Sequence, residues 1–476
     1  MALTFLWHDY ETFGVNPKTD RPAQFAAIRT DAELNEIGEA MNLFCQPAND
    51  YLPNPEACLL TGITPQQCWQ QGIPEYQFAA AIERALASPE TIGVGYNTIR
   101  FDDEVTRFLF WRNLIDPYAR EWQNGCGRWD LLDVVRTVYA LRPDGIEWPR
   151  HEDGRVSFKL EHLTATNGLQ HEAAHDALSD VRATIALARL IRQQQPKLFD
   201  FCLALRSKQR VFDEINLAQP RPLLHISGMY GVERGNLAIV WPLATHPTNK
   251  NEIIVWDLAH DPRELFTLDA AEIRRRMFSR QDELGDTPRL PIKTIHANKS
   301  PIVVGNLKVL RESEISRWQL DLAQIQQHAQ AFTQAGTLPW SEVFAREASE
   351  KQDVDANLYG GFVSNTDRRT LSRLRTLKGE QLASEIVHFE DRQLEELLFR
   401  YRARNFPTSL NPEEQQRWEQ WRSARLFDGV ANALTLEAYS SEIDRLADSL
   451  DEAGDERAEQ ILAALYDYAE QIAPDF

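Results

Sequence analysis

Residues 4–14, TFLWHDYETFG, constrain this chain more than any other stretch of it. Thr4–Trp7 opens a strand, and Asp9 and Glu11 follow two positions apart. A strand alternates its side chains, so both carboxylates project from one face and can reach one site. The rest of the first two hundred residues supplies a sheet for that strand. Gln24–Thr30 and Glu36–Cys45 read as strands pairing with it, and Ile92–Gly95 as a short buried strand before the Tyr96-Asn97 turn. Helical periodicity follows in DDEVTRFLFWRNL (102–114), DLLDVVRTVYAL (130–141) and ALSDVRATIALARLIRQQQ (177–195). Pro196 interrupts, and Phe199–Leu205 continues a helix toward the domain edge. The expectation is an α/β domain over residues 1–196, a mixed sheet flanked by helices.

The rhythm then changes twice. From the segment AQPRPLLHISGMYG (218–231), short β-rich runs at 236–244, 252–259 and 299–307 alternate with turn signals, the pattern of a small barrel or sandwich. Gln-rich helical sequence follows from Ser316 to Gln334. From about Asp353 onward Leu and Arg recur at helical spacing, and the last helices are acidic. Three regions result, 1–196, 197–350 and 353–476, as suits a chain of 476 residues that is long for one core.

Hydrophobic residues make up 43% and charged residues 26%, ordinary globular values that exclude a disordered or fibrous chain. No apolar run reaches the roughly 18 residues of a membrane span, and the first residues lack a basic-then-apolar leader. The cysteines, at 45, 58, 68, 126 and 202, form no CxxC pair, so the expectation is a reduced, cytoplasmic protein. A formal charge of −20 argues against nucleic-acid binding by the whole surface. The charge is uneven: 28 acidic against 18 basic residues over 1–200, 18 against 18 over 201–350, and 25 against 15 over 351–476. The middle third, with RSKQR (206–210) and RRRMFSR (274–280), repels a polyanion least. Any nucleic acid would follow a local basic path, and its affinity would fall as salt rises.

Three more positions join the strand-borne acids. Asp102 follows the Tyr96-Asn97 turn where a helix begins, and His175 and Asp180 lie in HDALSDV, with Asp176 placed to cap the following helix. Four carboxylates converging without paired Lys or Arg would repel one another. Divalent ions neutralise such a set, and oxygen donors without thiols favour Mg²⁺ or Mn²⁺ over zinc. Two ions ~3.5–4 Å apart activate a water and stabilise the departing oxygen of a phosphodiester. A histidine at the rim takes the water's proton. Each piece has a plainer reading: acid pairs near strand ends are common, and Asp102, Asp103 and Glu104 together suit any helix N-terminus. Their order along the chain is what makes the combination specific.

HDYETFG, NTIRFDD and HDALSDV resemble the three motifs of the DEDDh 3′–5′ exonuclease family. RPAQFAAIRTD, LTGITPQ, RWDLLDVV, YALRPDGIEWP, SFKLEHLT, HISGMYG and YRARNFP are similar to its bacterial exodeoxyribonuclease I branch, from the first residues into the helical last third. The resemblance implies a ribonuclease H-like exonuclease domain, an SH3-like β-barrel domain and a helical C-terminal domain. It implies that Asp9, Glu11, Asp102 and Asp180 hold two Mg²⁺ ions, for which Mn²⁺ can substitute, and that His175 is the general base. Asp103 rivals Asp102, but the family pattern places the ligand directly after the aromatic, here Phe101. Further implications are release of 5′-mononucleotides from the 3′ end of single-stranded DNA, processivity, a role in DNA repair and recombination, and a monomer. The implied partner is the single-stranded-DNA-binding protein, through its acidic C-terminal tail. Such a tail needs a basic rim with an apolar pocket; Arg142 and Arg221, each directly before a proline, are the candidates.

Single strands bind in basic grooves interleaved with aromatic platforms. Arg107 follows Asp102 on its helix, Tyr118 and Trp122 lie in the downstream loop, Arg136 on the next helix and Lys159 in SFKLEHL. With Glu11, these match the family's substrate-contacting positions, and Lys159 would stand nearest the scissile phosphate. Tyr118 and Trp122 read equally well as core residues, and Arg107 and Arg136 as ordinary helix charges. YRARNFP (401–407) stays open between a structural role and a DNA contact, since arginines two apart do not share a helix face. The motifs do not separate a deoxyribonuclease from a ribonuclease, because sugar choice rests on contacts at the 2′ position. A catalytically silent binding protein is the third reading, and the intact carboxylate set argues against it.

Overall fold

The computed structural model describes residues 2–170, 176–333, 336–345, 352–450 and 455–474. The chain forms two compact units that do not follow chain order. One joins Met1–Gly127 and His171–Arg182 to Glu350–Phe476; the other joins Arg128–Gln170 to Ala183–Ser349. The successive regions read from sequence are therefore interleaved, because the helical last third buries its apolar faces on the first.

In the first unit, strands β1 (Thr4–Thr12), β2 (Pro22–Thr30), β3 (Met41–Gln46), β4 (Ile73–Pro74) and β5 (Thr91–Gly95) lie in the order β4-β3-β2-β1-β5. The β1–β2 and β2–β3 pairs are antiparallel, and β1–β5 is parallel. The β1–β5 register runs from Thr4 opposite Thr91 to Trp7 opposite Val94. Asp9 and Glu11 stand beyond that last pair, where β1 has a backbone edge to offer. Gly95 marks the close approach of the two strands: a Cβ there would lie 2.6 Å from the His8 carbonyl oxygen. β3 begins later than its sequence suggests: Glu36 makes only an isolated bridge to Thr30, and left-handed backbone at Leu34 and Gly38 (φ 67° and 76°) delays continuous pairing until Met41. On one side of the sheet, Leu6, Tyr10, Phe25 and Ala27 pack with Phe78 and Ile82 of helix Glu75–Leu86 and with Val105, Leu109 and Phe110 of helix Asp102–Arg112. Alternation then sends Asp9 and Glu11 to the opposite face.

Two apolar clusters join the first region to the C-terminal helices. Phe13, Tyr51, Leu52 and Cys58 pack with Tyr439, Ile443, Leu465, Tyr468 and Ile472. Phe108, Trp111 and Leu114 pack with Leu371, Leu374, Leu394, Leu397 and Tyr401. Between them lies a buried ionic network. Arg404 bonds Asp50 at 2.8 Å and Asp355 at 2.5 Å, and Arg400 bonds Asp353 at 2.8 Å and Asp355 at 3.2 Å. Arg402 takes Glu414 at 2.7 Å. The open question over YRARNFP is thus answered on the structural side: its arginines are ion-paired within the protein, on helix Gln393–Asn405.

β6 (Gly127–Asp130) is the sixth strand of the β1 sheet, next to β5, and spans the boundary of the two units; the second unit holds a five-stranded antiparallel sheet, β7 (Leu223–Ile226), β8 (Leu237–Thr245), β9 (Glu252–Asp257), β10 (Ile292–His296) and β11 (Ile302–Val304). Its order is β10-β9-β8-β7-β11, with a register shift between Pro242 and Ala244 that bends β8. The small all-β region expected from sequence is present. β10 escaped the sequence reading because only Ile295 of it is fully buried, so its alternation is faint. Pro196 interrupts as expected: helix Ala177–Gln194 ends before it, and a new helix, Pro196–Ala204, starts with it at the first-turn position where its missing N–H costs nothing. Among the described residues no helix is long and apolar enough to cross a membrane.

Candidate active site

The strand-borne pair, Asp9 and Glu11, meets acids from two helix N-termini. Asp102 is the first residue of helix Asp102–Arg112 and is 3% exposed. Its carboxylate accepts the backbone N–H of Tyr10 at 3.1 Å, at the edge that β5 leaves uncovered. The Tyr10 hydroxyl lies 3.0 Å from Thr106 Oγ1, one turn along the same helix, so strand and helix are fastened twice. Asp103 turns away and forms a 2.5 Å ion pair with Arg120, both side chains being buried. One carboxylate of the adjacent pair is neutralised by a cation, and the other faces the acids.

Asp180 lies in the first turn of helix Ala177–Gln194. Asp176 caps that helix, accepting the Ser179 N–H at 2.9 Å. One oxygen each of Asp9, Glu11 and Asp180 falls within 4.8 Å of the others. His175 lies outside the described residues.

The electrostatics express this crowding. Burial, then the charges of Asp102, Glu11 and Asp180, push the Asp9 carboxyl well above the usual carboxylate range. Burial, then Asp180, Asp102 and Asp176, push Glu11 up to about 8. Both shifts mean that, among the described residues, burial and like charge outweigh any neutralising partner at the ionised site. An all-oxygen donor set of this density fits a hard divalent cation. His8, just before Asp9 and on the other face of β1, is buried and neutral, its pKa lowered to about 4 by burial and then by Arg120. The sequence reading treated Asp176 only as a cap; its place one helical turn before Asp180 is the signal that it also acts on Glu11.

The expected strand-contacting residues are variously placed. Trp122 is 67% exposed, as a stacking platform requires. Tyr118 is half-buried, with the Arg107 guanidinium 5.2 Å from its ring centre. Arg107 is not the open surface charge its position suggests. It is 5% exposed and bonds Glu121 at 2.7 Å and 2.9 Å, Glu104 at 2.6 Å and the Tyr359 hydroxyl at 3.2 Å. Burial alone would lower its pKa; Glu121 and then Glu104 hold it above the usual value. A phosphate reaching Arg107 must share it with these acids. In the second unit, Arg136 bonds Asp133 at 2.7 Å, while the Lys159 side chain is 64% exposed with Glu161 at 3.4 Å. There too, Arg142 donates to the Val309 carbonyl at 2.9 Å and lies 3.5 Å from Glu314, and Arg221 is exposed.

Residues 6–188 match the family model described as "Exonuclease", residues 206–346 the "Exonuclease I SH3-like domain" and residues 352–472 the "Exonuclease I C-terminal domain". The exodeoxyribonuclease I of Escherichia coli (strain K12) is 44% identical over 490 aligned positions, 98% of either chain. The chain belongs to the exonuclease I family. Among solved members, E. coli exonuclease I in complex with a dA16 oligonucleotide superposes with a TM-score of 0.94 at 43% identity, covering 99% of this chain and 100% of that one. The zinc-bound form of the E. coli exonuclease I complex with single-stranded DNA gives a TM-score of 0.92, with the same identity and coverage. Membership of exonuclease I accounts for all three parts of the architecture: the ribonuclease H-like exonuclease domain, the SH3-like sheet and the helical C-terminal domain.

Proposed function

We propose that this protein is a 3′–5′ exodeoxyribonuclease that shortens single-stranded DNA and releases 5′-mononucleotides. The observation that carries the reading is the meeting of Asp9, Glu11 and Asp180 oxygens within 4.8 Å, in a chain aligned end to end with exonuclease I. Asp9, Glu11, Asp102 and Asp180 are the residues that would hold two Mg²⁺ ions, or Mn²⁺ in their place. Such ions supply charge for the scissile phosphate and the departing 3′ oxygen, and they make water a nucleophile near neutral pH.

The remaining work falls to the chain. The Tyr10 N–H holds Asp102 against β1, and the Asp176 cap fixes the turn that presents Asp180. Arg120 removes Asp103 from the set, so that Asp102 alone is offered from that helix start. We assign to His175 the proton taken from the attacking water. Lys159, Arg136 and Arg107 serve the strand's phosphates, Tyr118 and Trp122 its bases, and Glu11 also faces the terminal nucleotide. All five cysteines are buried free thiols, which suits a reducing cytoplasm. Recruitment by the acidic tail of single-stranded-DNA-binding protein and a role in repair and recombination, acting as a processive monomer, complete the reading.

The test is degradation of 3′- and 5′-end-labelled single-stranded DNA and matched RNA, with Mg²⁺ or EDTA. Stepwise loss from the DNA 3′ end, Mg²⁺-dependent and abolished by EDTA, is expected. Faster loss of the RNA would transfer the site to ribonucleic substrates, and loss from the 5′ end would reverse the assigned polarity. Sedimentation of the same preparation with and without a tail peptide reads the oligomeric state and the partner.

A further inference from the structure

Lys159 carries one of the phosphate contacts assigned above, yet its side chain is 64% exposed, and a lysine stem in solvent samples many rotamers. Its neighbours restrain it in a closed ring of contacts. Ser157, 1% exposed, accepts the Lys159 backbone N–H on its hydroxyl oxygen at 3.3 Å. The same oxygen lies 2.8 Å from His162 Nδ1. With the hydroxyl proton given to Nδ1, the imidazole keeps its own proton on Nε2. That nitrogen is 3.9 Å from Glu161 Oε1, and this one oxygen is also 3.4 Å from Lys159 Nζ. His162 therefore acts on both ends of the lysine, on its backbone through Ser157 and on its ammonium through Glu161.

The imidazole is itself held. Lys159 is the N-cap of helix Leu160–Thr166, so His162 lies in the first turn of that helix. From the other side, His151, in the hairpin closed by the Arg150–Val156 bridge, meets the ring edge-on at 5.9 Å. At 42% exposed the ring adds little to any core, so what it organises is Ser157 and Glu161. We propose that His162 is a positioning residue for nucleotide release, fixing Ser157 and Glu161 so that the Lys159 ammonium meets a strand phosphate in a narrow set of orientations. Glu161 is the part that yields: an arriving phosphate replaces its carboxylate at Nζ, while Ser157 keeps the backbone of Lys159 in place. The inference rests on the reading of Lys159 as a phosphate contact.

Two measurements on dT15 test this: nucleotide release with Mg²⁺ far below saturation, and anisotropy with Ca²⁺ under conditions that leave the strand intact. His162→Ala should lower kcat/KM and weaken binding about three- to tenfold, the net worth of one hydrogen bond. His162→Asn, whose amide reaches the place of Nδ1, should recover most of that loss. In a Lys159→Ala background, His162→Ala should change nothing further, because the residue it serves is gone. A loss of equal size in both backgrounds would mean that the ring only supports the fold, and it overturns the proposal, as does wild-type behaviour of His162→Ala. If Lys159→Ala itself matches wild type, the phosphate assignment of Lys159 falls and the positioning role with it. If Lys159→Ala weakens binding and His162→Ala does not, only the positioning role falls.

Discussion

Asp180→Asn is expected to lower the rate of nucleotide release by about a thousandfold, equivalent to ~4 kcal/mol of barrier, with the fold intact. Asp180 shares a 4.8 Å cluster with Asp9 and Glu11, and a carboxamide there supplies one neutral oxygen in place of a charged pair. The variant should also melt differently. Glu11 has its folded pKa raised from 4.5 to about 8, so the native state binds its proton more tightly than the unfolded chain does. Metal-free wild type therefore loses stability as pH rises from about 4.5 to about 8. Asp180→Asn removes the largest charge acting on Glu11 and should flatten that slope. Mg²⁺ competes with the same protons, so its stabilisation of wild type should grow as pH approaches 8 and be small in the variant. Thermal melts from pH 5 to 8, with and without Mg²⁺, read both effects. Activity within tenfold of wild type, or an Mg²⁺ response untouched by the substitution, would remove Asp180 from the site.

Asp50→Asn should be the most damaging change outside the active site. Asp50 is fully buried and bonds Arg404, with Arg425 at 3.9 Å. Burial alone would raise its pKa; Arg404 and then Arg425 outweigh burial and hold it below the carboxylate range. Breaking a buried pair while leaving its cations in place costs about 3–5 kcal/mol. Because the folded pKa is depressed, the contribution is complete above the unfolded value near ~3.9 and lost only in more acidic solution. The gap between wild type and Asp50→Asn in urea melts should be constant from pH 5 to 8 and close below about pH 4. Coupling Asp50→Leu to Arg404→Met, which removes both charges, should recover part of the loss. A gap below 1 kcal/mol at pH 7 would show that the network is incidental.

What the sequence made legible was local. Alternation along a strand is a two-residue rule, so Asp9 and Glu11 were readable as one face, and the helix starts at Asp102 and Asp180 follow from short-range turn and cap chemistry. The choice between Asp102 and Asp103 was not readable from spacing, because adjacent residues at a helix start diverge and the decision lies with Arg120, 17 residues on. The burial of Arg107 was invisible for the same reason: one of its partners, Tyr359, is 252 residues away. The arginines of YRARNFP were undecidable until Asp50 was placed beside Arg404, 354 residues distant. Faint alternation hid β10, and two left-handed residues displaced the start of β3. The division into regions followed composition, whereas compactness follows packing between the two ends of the chain.

That last feature bears on how the protein is made. A ribosome has finished Asp9, Glu11, Asp102 and Asp180 long before it reaches helix Glu456–Ile472, yet Phe13 and Tyr51 wait for Leu465, Tyr468 and Ile472 to complete their core. A message broken or stopped before that helix yields a product with every acid in place and its apolar seam exposed, a substrate for quality-control proteases. Pulse proteolysis of chains stalled before and after residue 472 would display the transition. The carboxylates are thus translated well before the core that Phe13 and Tyr51 share with that helix can close.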